Sequence, residues 1–245
     1  MAPRNRSDIA AHDLAQTDTC HRWRADIFVE KLVRSRFVGP WQRLLDLSAG
    51  NGQEAVRYAQ LGYLVDAVAG TAAEFDAARQ MAQRDGLEQR CRFAPRVSML
   101  MEYPDATFDV IVTRRLPAAG ERRWWADNIN RLLKPGGVAL FIVPVRHTTA
   151  MPQRDAALTA PTAAWSAVDV RDLERSFESV MIERFTILGR IDRALPDVTP
   201  VLRARLKQLD YRLLRVCPAF AAATTDSVLV CRKRLSAGAE RRAAA

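Results

Sequence analysis

The sequence predicts an α/β fold: a mostly parallel, seven-stranded sheet with one antiparallel edge strand and helices on both faces. Three observations predict it. Short apolar runs alternate with stretches of helical periodicity along most of the chain, the pattern of strand–helix units that build a parallel sheet covered on both sides. The turn Gly50-Asn51-Gly52 follows the first apolar run and opens a helix, so unpaired backbone N–H groups face a ligand there. The 245 residues are 49% hydrophobic, enough to bury the core of a single domain.

Taken in order, residues 1–36 are expected to form a polar tail and a cap helix. Trp23, Ile27, Phe28, Leu32 and Val33 repeat at helical spacing, and Gly39-Pro40 ends the pattern because the residue before proline avoids the helical region. Leu44 to Leu47 read as the first strand, Gln53 to Gln60 as a helix and Tyr63 to Val68 as the second strand. Thr71 and Glu74 have the spacing of a capping box, and the helix it opens should run to Arg84 before Asp85-Gly86 stops it. Strands are expected at Cys91 to Ala94 and Phe108 to Thr113, then a helix from Arg122 to Leu133 carrying Trp124 and Trp125. Pro135-Gly136-Gly137 should turn into a fifth strand, Val138 to Val143. Ser166 to Asp169 look like the start of a helix reaching Phe177, and Val180 to Leu188 and Asp226 to Arg232 read as the last two strands. The main domain is therefore expected over residues 37–235, with a basic helical insertion at 191–222 and a disordered tail at 236–245.

The formal charge is +9, and its distribution is uneven. From Arg190 onward twelve Lys or Arg face five acids, a surplus of seven that places most of the excess near the C-terminus. Within that segment Leu202, Leu206, Leu209 and Leu213 back a face carrying Arg203, Arg205, Lys207, Arg212 and Arg215. A helix of this kind, Val201 to Val216, suits peripheral contact with an anionic membrane or a packed helix with a solvated face. Nucleic acid is the less favoured partner, since aromatic and basic residues do not interleave. Cys20, Cys91, Cys217 and Cys231 form no paired motif, and His12, His21 and His147 show no metal-ligand spacing, so neither a disulfide framework nor a metal site is expected. The N-terminus, with Arg4, Arg6, Asp8 and Asp13 and no apolar run, does not resemble a signal peptide. The longest apolar run, Val138 to Val145, is too short to span a bilayer. A cytoplasmic protein, at most peripheral to a membrane, is the expectation.

The series from Leu44 to Val145, with Asp46, the glycine turn, Phe108-Asp109-Val110-Ile111-Val112 and Leu133-Lys134-Pro135-Gly136-Gly137 in that order, resembles the class I S-adenosylmethionine-dependent methyltransferases. The resemblance implies the Rossmann-like fold of that family, with S-adenosylmethionine as cofactor. It also implies cofactor contacts at Asp46, Ser48, Gly50, Asn51, Gly52, Ala69, Gly70, Val97, Ser98 and Thr113. In the family the acid at Asp46 helps hold the methionine end, and Asp109 is structural. A leading helix often covers the cofactor, a part open here to His21 and Trp23.

Three positions depart from the family pattern. Ser48 stands where the first loop glycine belongs and brings a Cβ and hydroxyl toward the cofactor. Ala69 takes the place of the acid that binds both ribose hydroxyls; Asp66, three residues back, points to the opposite face, and Glu74 is the better replacement. Val97, with Ser98 beside it, takes the place of the acid that meets the adenine. Two missing hydrogen bonds at about 1–1.5 kcal/mol each weaken binding on the order of 30- to 150-fold. His147, after the fifth strand, is the candidate general base, and no other catalytic group stands out; Trp124 and Trp125 could stack a substrate.

The resemblance therefore implies methyl transfer to a small-molecule, glycan or lipid-linked acceptor. The alternative is a pseudoenzyme that keeps the fold as a binding scaffold. A dinucleotide enzyme fits less well: Gly50-x-Gly52-x-x-Ala55 matches that fingerprint loosely, but Ala69 lacks the ribose acid that such a site also requires.

Overall fold

Period-two alternation decides how each strand is covered. The computed structural model describes residues 25–94, 102–114, 117–143, 167–185 and 226–235. Helix α1 spans 25–36. It is followed by β1 (Arg43–Asp46), α2 (Gln53–Gln60), β2 (Leu64–Val68), α3 (Ala72–Arg84), β3 (Cys91–Ala94) and β4 (Phe108–Thr113). Then come α4 (Arg122–Leu132), β5 (Leu133–Val143), α5 (Ala167–Ser176), β6 (Ser179–Phe185) and β7 (Asp226–Arg232).

The seven strands form one sheet in the order β3-β2-β1-β4-β5-β7-β6. Strands β1 to β5 pair in parallel, as the sequence predicts. The antiparallel element at the far side is β7, which lies between β5 and the edge strand β6 and runs against both. Alternate residues feed two apolar layers. Leu44, Val110, Val112, Val138, Leu140 and Val228 pack with α1 and α2, whereas Leu45, Ile111, Ala139, Phe141 and Leu229 pack with α4 and α5. Ala25, Val29 and Val33, four apart on α1, are each at most 1% exposed, so this helix is seated on the sheet.

The fifth strand starts earlier than the sequence predicts. Lys134-Pro135-Gly136-Gly137 lies inside β5 as an irregularity, where the pairing with β4 jumps from Phe108↔Leu133 to Val110↔Val138. A bulge is where a strand tolerates proline, and Gly136 takes φ +76 there. The expected first helix before residue 25, the expected strand residues 186–188, the insertion at 191–222 and the tail at 236–245 lie outside the described residues.

Polar side chains join the elements at the end of the sheet away from the glycine turn. Asp109 Oδ2 accepts from Arg43 N at 2.8 Å and from Lys134 Nζ at 2.7 Å, the structural part expected of it. Lys233 Nζ donates to the carbonyls of Asn130 and Leu133 at 2.7 Å each, closing the C-terminus of α4, where orphan carbonyls and the helix dipole favour a cation. Arg43 Nη2 donates to Asp66 Oδ2 at 2.5 Å, and the Asp66 side chain is only 6% exposed. Asp66 is thus committed to β1 and does not serve the end of β2. Replacing it by alanine leaves Arg43 without its partner, and urea denaturation is expected to show a loss of about 2 kcal/mol with the slope unchanged.

Candidate cofactor site

The site is built on the carboxyl end of β1. Alternation sends Leu45 to the α4 side and Asp46 to the α2 side, where Asp46 is 2% exposed. Burial raises its pKa to about 6; the Ser48 N–H and Arg114 work against that rise, and Glu54 adds to it. Ser48 N donates to Asp46 Oδ1 at 2.9 Å. Beneath lies Tyr58, buried, with its pKa pushed up by burial and by the Asp46 carboxylate.

The hydroxyl of Ser48 does not point toward the open side of the loop. It donates to Asp46 Oδ1 at 3.4 Å and accepts from Arg114 N at 2.8 Å. The side chain expected to crowd a ligand instead ties the β1 loop to the end of β4.

The two loop glycines have different reasons. Gly50 takes φ +50, and a Cβ built on it meets nothing within 4 Å, so its face is open to a ligand. Gly52 takes φ +87, and a Cβ there would lie 2.6 Å from Ala78 Cβ and 2.8 Å from Ala78 Cα. Its role is close packing against α3. Between them Asn51 is exposed, and its Oδ1 accepts from Gln53 N at 3.4 Å at the start of α2.

At the end of β2, Ala69 is 1% exposed and its N–H donates to Ala94 O at 2.9 Å. Its side chain has no acceptor to offer. Glu74 reaches back from α3: Oε2 accepts from Gly70 N at 2.9 Å and Thr71 N at 3.0 Å. This is the capping box read from the sequence, and it brings a carboxylate to the carboxyl end of β2. Thr113 is buried at the end of β4, paired with Phe141. Val97, Ser98, His147, His21 and Trp23 lie outside the described residues. Of the tryptophan pair, Trp125 is core at 8% exposure and Trp124 is 46% exposed.

Sequence reasoning gave no part to Arg114, Asp26, Glu54 or Tyr58. The Arg114 guanidinium bonds Asp26 of α1 and lies 3.5 Å from Glu54 in the first turn of α2. The signal for Arg114 was its parity: it stands two residues beyond Val112, on the same face. No comparable signal existed for Asp26, whose partner is 88 residues away.

A methyltransferase-domain family model matches residues 44–137, the stretch from β1 into β5 that carries this site. The matched stretch is similar to the class I S-adenosylmethionine-dependent methyltransferases. The chain is also similar to 27-O-demethylrifamycin SV methyltransferase of Amycolatopsis mediterranei (strain S699), with 31% identity over 97 residues. That match covers 39% of this chain and 36% of the relative. Among solved structures, geranyl diphosphate C-methyltransferase from Streptomyces coelicolor A3(2) superposes with a TM-score of 0.62 at 14% identity, covering 86% of this chain and 81% of its own. The [4+2]-cyclase SpnF superposes with a TM-score of 0.59 at 20% identity, covering 85% and 81%. At these identities the likeness is one of fold.

Two outcomes test the geometry of the methyltransferase loop. Gly52→Ala must move α3 or strain the backbone, and a loss of about 2–4 kcal/mol is expected by chemical denaturation. Asp46 has a folded pKa near 6 against an ordinary value of 3.8, so the folded state holds the proton more tightly. Stability from this group is present below pH 4, falls as pH rises toward 6, and stays lost above it. Asp46→Asn is therefore expected to stabilise the protein at pH 7 by on the order of 2–3 kcal/mol, with the difference closing by pH 4.

Proposed function

We propose that the protein transfers a methyl group from S-adenosylmethionine to a small-molecule, glycan or lipid-linked acceptor. The observation that carries this is the β1 loop: a buried acid at Asp46, followed by a glycine at position 50 whose face is open, at the carboxyl end of a central parallel strand. Ligands of open α/β sheets bind at that end. The small-molecule acceptor draws support from the rifamycin methyltransferase, whose name gives such a substrate.

The residues present fit the cofactor in part. Asp46 would hold its methionine end, and Gly50, Asn51 and the backbone at Ser48 would pass beneath it. Glu74 would replace the ribose acid that Ala69 lacks: its Oε2 is engaged by Gly70 and Thr71, and its Oε1 makes no hydrogen bond among the described residues. Gly70, Thr113, Val97 and Ser98 complete the proposed contacts. When bound, the cofactor supplies an electrophilic methyl group, and the chain's task is chiefly to position the acceptor and exclude water. His147 is proposed as the base for an acceptor that must lose a proton.

Weakened affinity is part of the proposal, because Ala69 and Val97 withhold two polar anchors. A cytoplasmic setting, with Val201 to Val216 against an anionic membrane, completes the reading; no described helix is long and apolar enough to cross a membrane. The scaffold alternative rests on those same two positions. Calorimetric titration with S-adenosylmethionine and S-adenosylhomocysteine separates the readings. If an ordinary member binds at a micromolar level, dissociation constants of roughly 30–150 micromolar correspond to loss of both anchors, and tighter binding is expected where Glu74 stands in for one of them. Glu74→Gln should weaken binding further, by about tenfold for a lost hydrogen bond to a charged acceptor. No binding at millimolar ligand would favour the scaffold.

A further inference from the structure

We propose that Arg114 is a positioning residue, tying the β1 loop to helix α1 so that the loop and the helix move as one unit. The inference rests on the methyltransferase reading for its catalytic meaning but not for its physical content. Arg114 follows β4 and is bound at both ends. Its backbone N–H donates to Ser48 Oγ at 2.8 Å, and Ser48 in turn holds Asp46. Its guanidinium bonds Asp26 on α1 and approaches Glu54 on α2 at 3.5 Å. All three charged side chains are sheltered, with 19% of Arg114, 27% of Asp26 and 34% of Glu54 exposed. Partly buried charges of this kind are costly to leave unpaired, so the contact resists opening more than an exposed pair would. One residue therefore joins β4, the β1 loop, α1 and the start of α2.

The charge balance gives the arrangement a second consequence. Asp46 is faced by Glu54 and Tyr58 from α2 and by Arg114 from β4, while Asp26 on α1 sits behind Arg114. Two carboxylates, Asp26 and Glu54, thus share the guanidinium, and Asp46 feels its charge without touching it. The Ser48 N–H and, to a smaller degree, the Arg114 charge work against the rise that burial and Glu54 impose on the Asp46 pKa. A displaced Arg114 would free α1 from the β1 loop and let the Asp46 pKa rise further.

Hydrogen exchange on the full-length protein tests the tether directly. Arg114→Ala and Asp26→Asn should each speed exchange across residues 25–36 by about tenfold, the opening expected when a sheltered ion pair is lost. The deciding variant is Ser48→Ala, which touches no part of α1. It should speed exchange in 25–36 as well, and should add nothing in an Arg114→Ala background, because coupled sites are not additive. Arg114→Lys should restore part of the protection. If Ser48→Ala leaves α1 at the wild-type rate, Arg114 makes two separate local contacts and the proposal is overturned. With S-adenosylhomocysteine as probe, the acid limb of the binding profile near pH 6 should move up in Arg114→Ala and down in Glu54→Gln. An unmoved limb in both variants overturns the charge-balance part. Failure of the wild type to bind the probe would sink the methyltransferase reading, while the exchange results would still decide the tether.

Discussion

A carboxylate buried at the end of the central strand has to be satisfied, and much of the local structure follows from how this is done. Asp46 has almost no access to water. Its hydrogen bonds come from the Ser48 backbone and hydroxyl, which requires the chain to turn back sharply within two residues. That turn delivers Gly50 with its open face and lets Gly52 press against Ala78. Strand alternation puts Arg114 on the same side of the sheet, where its guanidinium meets Asp26 and Glu54. The loop geometry is thus an electrostatic solution as much as a steric one.

The fold was largely legible because its signals are local. Apolar runs bounded by glycine and proline, a capping box at Thr71 and Glu74, and helical spacing of buried residues each act within a few positions. The start of β5 was misread because Pro135-Gly136-Gly137 carries turn chemistry, and only the pairing with β4 and β7 turns it into a bulge. For the site, Asp46 and the glycine turn could be read from order along the chain. The parts of Ser48 and Arg114 could not, since their contact spans 66 residues. Periodicity states which face a side chain occupies, and says nothing of which partner waits there.

Ser48 also shows how a departure from a family pattern is to be weighed. Counted against the pattern, a hydroxyl replaces hydrogen and intrudes on the ligand. In place, the hydroxyl is turned inward and spent on Asp46 and Arg114. Ala69 is different in kind: it is sealed in the core and supplies no substitute of its own, so the end of β2 depends on Glu74, borrowed from the next helix. One departure adds an internal contact, and the other moves a function to a neighbour.

The placement of β7 bears on how the protein is assembled. Strand β6 reaches the sheet solely through β7, which also completes β5 and carries Lys233 to the end of α4. About forty residues separate β6 from β7, so during synthesis β6 emerges with both its edges unpaired and β5 with one face of its ladder open. Until residues 226–235 leave the ribosome, two β-rich segments are exposed to pairing with other chains. The middle of the sheet can form from its parallel units, but closure of this flank waits for residues 226–235. A nascent chain stalled before Asp226 would hold five parallel strands with an adhesive edge at β5.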